Sequence, residues 1–148
     1  MSSVPAVLAA LAALGSATLS ADVQVVNGSV GSVTFTKEQY FLIGDDEIPV
    51  EREFDSMSTV TTSEVYVVPL TCGADLQATD QALADAAADT IYEAMLTAIL
   101  GHPAGPTLGL GDGISVLPIG EHRFLRHASQ NGKHAAWRWG VRVYAQSS

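Results

Sequence analysis

The side chains in this chain with chemistry to offer are two groups of carboxylates, four histidines and one cysteine. Asp45, Asp46 and Glu47 are consecutive, with Glu51, Glu53 and Asp55 close behind. Hard divalent cations take such oxygen-rich sets, so a loosely held Mg²⁺ or Ca²⁺ is the chemistry they suggest. The D-x-[DN]-x-[DN]-G spacing of a calcium loop is missing and no second carboxylate cluster stands at a recognisable spacing from it, so the segment reads chiefly as a solvated acidic loop. His102, His122, His127 and His134 have no i, i+4 partner and no HExxH, which leaves them without zinc-site spacing. Cys72 closes a β-branched run and fits a small buried residue better than a nucleophile. GxSxG is absent, and the GLGDG at 109–113 lacks the Lys and Ser/Thr of a phosphate loop. Neither a catalytic centre nor a resident cofactor is expected.

Asp85, Asp89 and Glu93 stand four apart, which puts them in one acidic stripe on a helix. Like charges at that spacing cost an isolated helix about 0.2–0.5 kcal/mol per pair. The stripe is either a solvated face or one that meets a basic surface or lines a channel. The basic surface is supplied by the end of the chain. Two cations and sixteen acids up to residue 122 give −14, and five cations with no acid thereafter give +5, for a net −9. Arg123, Arg138 and Arg142 are the candidates to face the stripe or the acidic loop on a neighbouring copy, or to line a lumen. Net negative charge argues against nucleic-acid binding by the chain as a whole.

The elements that must hold these residues follow from periodicity. At 148 residues the chain is expected to be a single domain, 1–148. Val4, Val7, Leu8, Leu11 and Leu14 follow helical spacing behind Ser3 as a cap, with Pro5 in the first turn and Gly15 at the end. With no Lys or Arg before it, the run is expected to be a packed helix and not a secretory leader, and it is too short to span a bilayer. DVQVV at 22–26 ends at the Asn27-Gly28 turn signal, and 39–43 is a second strand. An exposed loop or edge ribbon over 50–58 leads to the strongest strand, 59–71, with Pro69 near its end or on an edge. The spacing predicts a long helix over about 80–100, capped by Thr79 and stopped by Gly101, with Leu83, Ala87, Ile91, Met95 and Ala98 on its inner face. A Gly/Pro-rich loop then leads to a C-terminal hairpin turning at Asn131-Gly132. In that register Phe124 faces Trp139 and Arg126 faces Trp137 in a cation–π pair, with Trp137, Trp139, Val141 and Val143 inward. The fold class is α+β: a mixed, largely antiparallel sheet packed against an N-terminal helix and the long helix.

Taken in order, these elements resemble the tail-terminator proteins of long-tailed, lambda-like bacteriophages. The local likeness lies in FLIGDDEIPVEREFDSMSTVTTSEVYVVPL, similar to the family's strand, acidic loop and long strand ending in an apolar-Pro motif before a helix, and in the last strand, WRWGVRVYAQ. The five-cation C-terminus and the loop at 101–113 depart from the family pattern. The resemblance implies a non-enzymatic virion protein, made in the host cytoplasm and placed at the head-proximal end of the tail. Its partners would be itself, as a homohexameric ring, the tail tube protein and the connector or stopper protein of the head. DNA would pass its lumen without specific binding, and no membrane is involved. Another head–tail neck protein is the nearest alternative; a small enzyme with a site of scattered His and Asp, or a secreted binding module, are more distant ones.

Overall fold

Runs of β-branched and aromatic residues make the two longest strands, and everything else is arranged on them. The computed structural model describes residues 2–28, 35–55, 61–77, 80–129 and 132–147. In chain order the elements are α1 (Val4–Thr18), β1 (Val23–Asn27), β2 (Gln39–Ile43), β3 (Val50–Asp55), β4 (Thr61–Leu76), α2 (Gln81–Leu100), β5 (Ile114–Pro118), β6 (Arg123–Ser129) and β7 (Gly132–Ser147). This is the expected α+β architecture, a seven-stranded mixed sheet with two helices. Every pairing is antiparallel except β1 with β2. The parallel pair means that Asn27-Gly28 does not close a hairpin. Strand β5, ISVLP, is an addition to the elements expected from sequence.

β4 and β7, sixteen residues each, pair from Thr62 opposite Ser147 to Leu76 opposite Lys133. Each gives its other edge to two short strands in succession, β2 and β3 on β4, β5 and β6 on β7. Both flanking edges break at one level, where Pro69 faces Gly140. The Gly44 N–H donates to the Pro69 carbonyl at 2.8 Å, and the Ile119 N–H to the Gly140 carbonyl at 2.9 Å. In an antiparallel ladder a residue's nitrogen and carbonyl point the same way, so the Pro69 nitrogen faces the gap between β2 and β3 and no donor is missed. Pro69 therefore sits mid-strand, not near an end, because the break is built around it. Gly140 is required for closeness: a Cβ there would lie 2.7 Å from the Val68 carbonyl oxygen.

Alternation decides what faces inward. Tyr66, Val68, Leu70 and Cys72 of β4 lie opposite Val143, Val141, Trp139 and Trp137 of β7, and all turn to one face. Val7 and Leu11 of α1 and Ile91, Met95 and Ile99 of α2 are buried in the same cluster, so both helices pack on that face. Burying each such side chain is worth roughly 1.5–3 kcal/mol. The expected α1 stripe is right, but Gly15 does not end the helix. It is buried inside it, where a Cβ would meet the Phe41 ring at 2.9 Å. Asp80 caps α2 by accepting the Ala82 N–H at 3.0 Å; Thr79, the expected cap, lies outside the described residues. Leu83 is 57 % exposed, because the first turns of α2 present Ala84 and Ala88 to Ala135, where small side chains allow close approach. The hairpin register differs by two residues from the expected one: Phe124 faces Trp137, and Gly132 is already in β7, opposite Ser129. A two-residue shift preserves parity, so the inward set is unchanged.

Candidate functional surfaces

Asp45, Asp46 and Glu47 lie in the loop 44–49 between β2 and β3, all exposed. The Asp45 carboxylate accepts the Asp46 N–H at 2.8 Å, a local turn contact. Among the described residues no three His, Cys, Asp or Glu side chains converge to hold a metal ion.

The acidic stripe of α2 is partly engaged within its own chain. Asp85 pairs with Arg126 of β6 at 3.1 Å and accepts from Gln81 at 3.1 Å. Asp89 accepts from the Trp137 indole N–H at 3.1 Å, and Glu93 is exposed. Arg126 thus meets a carboxylate, not the Trp137 ring, because it faces Ala135 on the helix-covered side. Sequence reasoning missed this pair, although the shared parity of Phe124 and Arg126 carries the signal.

Arg123, Arg138 and Arg142 separate from that side. They project from the opposite sheet face, on which neither helix packs. Arg123 pairs at 2.8 Å with Glu121, an exposed pair that contributes little. Arg138 and Arg142 make no ion pair among the described residues. Arg138 and Asp45 of the loop line one depression together with Leu42 and Thr71. Arg142 lies between Glu51, Val65 and Val67 on one side and Leu117 and Tyr144 on the other. Leu117, Leu125 and Tyr144, on the same face, are 52 %, 40 % and 46 % exposed.

Several polar groups are held against the sheet, Tyr40 and His134 on its helix-free face and the others on the helix-covered one. Tyr92 stacks on Trp137 with ring centroids 4.3 Å apart, and its hydroxyl bonds to His122. Tyr40 bonds to His134 at 2.9 Å. Burial pushes both phenols above their ordinary pKa. Burial also pushes the Cys72 thiol up to about 12, so it stays protonated at neutral pH and accepts the Trp139 indole N–H at 3.4 Å. Among the described residues no helix is long and apolar enough to cross a membrane. No known family model matches this chain, and no curated protein matches its sequence.

Proposed function

We propose that this chain is a structural subunit that assembles into a homohexameric ring of the tail-terminator kind. The ring would sit at the head-proximal end of a phage tail, stopping tube growth and joining the tube protein to a head connector. One observation carries the reading. The sheet is covered by helices on one face only, and its other face presents exposed Leu117, Leu125 and Tyr144 beside Arg138 and Arg142, which make no ion pair among the described residues. The acids of α2 lie on the far side of the molecule, so a copy offers two unlike surfaces. Unlike surfaces associate head to tail, and a rotation that closes makes a ring. Such a role needs no catalysis and no bound metal.

Native mass spectrometry of the purified chain, with and without millimolar Mg²⁺, tests this. A hexamer in both conditions is expected. A monomer at every attainable concentration would remove the ring, and a hexamer that requires Mg²⁺ would give the loop 44–49 a role not assigned to it here.

A further inference from the structure

Among the described residues four strands have an unpaired outer edge, and two of those edges, β3 and β6, carry opposite charges. Among the described residues β3 pairs only with β4, and β6 only with β7. They lie on opposite margins of the sheet, six and seven residues long. On the helix-free face β3 presents Glu51 and Glu53, while β6 presents Arg123, Leu125 and His127. On the helix-covered face β3 presents Phe54, 64 % exposed with Arg52 over its ring at 5.3 Å, and β6 presents Phe124, 36 % exposed. Charged side chains commonly protect an edge from pairing with anything. Here they discriminate. Acidic β3 repels another β3, basic β6 repels another β6, and only the unlike combination attracts.

We propose that β3 of one copy pairs edge to edge with β6 of the next, continuing the sheet from subunit to subunit. The directions allow it. β3 runs against β4, β4 against β7 and β7 against β6, so β3 beside the next copy's β6 makes an antiparallel pair. Such propagation keeps helices on one side throughout, and so brings Glu51 and Glu53 to the face of Arg123 and His127, and Phe54 to that of Phe124. The other outer strands, VQVVN in β1 and ISVLP in β5, carry no charge to select a partner. β3 and β6 border opposite ends of the long strands, so closing a ring through them inclines the strands to the ring axis, as closing any sheet demands. The pairing stands on edge chemistry alone; only the closed ring rests on the proposed function.

Charge reversal with mixing tests it. One variant carries Glu51→Lys and Glu53→Lys, the other Arg123→Glu and His127→Glu; all four side chains are exposed, and circular dichroism checks the fold. Sedimentation velocity should show each variant alone needing about tenfold or more protein for half-assembly. An equimolar mixture should recover wild-type assembly, because alternating copies restore opposite charges at every junction. Variants that assemble as the wild type does, or a mixture that fails to recover, overturn the edge pairing and leave the ring untouched. Recovery into open filaments under the electron microscope keeps the pairing and overturns the ring. A wild-type chain that never assembles overturns both.

Discussion

Glu64 is the residue whose surroundings say most about its role. It is 3 % exposed, on the inward parity of β4 with Tyr66 and Val68, and a carboxylate there must be matched or it is expensive. It is matched by the N-terminus of α1: the Ser3 N–H donates at 2.8 Å, the Ser2 and Ser3 hydroxyls at 2.8 and 3.0 Å, and Arg52 lies 3.4 Å away. Ser3 thus stands at the helix start as expected, but its hydroxyl serves Glu64 and Tyr66 and not the helix. Burial alone would raise the Glu64 pKa; the Ser3 and Ser2 hydrogen bonds and Arg52 outweigh it, and the net displacement is downward. A depressed carboxylate pKa contributes stability that is present above the unfolded value, about 4.3, and is lost as pH falls through the folded value. Glu64→Gln should cost about 1–3 kcal/mol at neutral pH, since an amide accepts fewer of these bonds. Urea unfolding across the acid range checks it: wild type and variant should converge below the ordinary Glu pKa, and parallel curves would remove Glu64 as the α1 anchor. Its inward parity was visible in SEVYVV, but nothing local announced that its serine partners stand 61 and 62 residues earlier.

Element boundaries divide into those set locally and those set by distant packing. The long α2 helix was legible because its cap region, its Gly101 stop and its apolar period all agree, and β4 because its β-branched run is continuous. Parity in the hairpin was legible too, since the alternation of Trp137, Trp139, Val141 and Val143 needs no knowledge of the turn. The register was not, because Asn131-Gly132 signals a turn centre while pairing with Ser129 draws Gly132 into the strand. β5 was missed because five residues ending in proline carry too little pattern. Gly15 shows the same limit in a helix. Read locally it is a terminator; in the fold it is the position where α1 crosses Phe41, which is fully buried. The two effects have opposite signs on substitution. Gly15→Ala gains about 1 kcal/mol of helix propensity. The added Cβ presses on the Phe41 ring, and overpacking of this kind costs about 1–3 kcal/mol. Net destabilisation is expected, read as a lower denaturant midpoint with an unchanged slope. A more stable variant would mean that the ring gives way freely and that α1 is not seated by this contact.

At the scale of the whole molecule, charge bears on the proposed assembly and on what could pass through it. Segregation was legible along the chain, and hairpin parity already set Arg126 on the face of Trp137 and Arg138 and Arg142 on the other; what was not legible is that Arg126 meets Asp85 there. That split gives the arginine face two incompatible uses. Turned toward a ring lumen, two arginines from each of six copies would offer on the order of ten phosphate contacts. The logarithm of duplex affinity would then fall against that of salt with a slope near −9. Turned to the outside of the ring, with the helix-covered face inward, they would offer each passing helix few contacts, against a net charge of −9 on every copy. A conduit that must release DNA, as the proposed function requires, favours the second arrangement. The assembled protein is therefore expected to leave a fluorescent duplex unbound at an ionic strength of about 0.15 M, where screening reaches within roughly 8 Å. Any residual binding at lower salt should show a shallow slope. Fluorescence anisotropy over a salt series measures this directly. Tight binding with a steep slope, abolished by Arg138→Glu with Arg142→Glu, would place the arginine face inside the ring and make retention of nucleic acid, not its free passage, the property to explain.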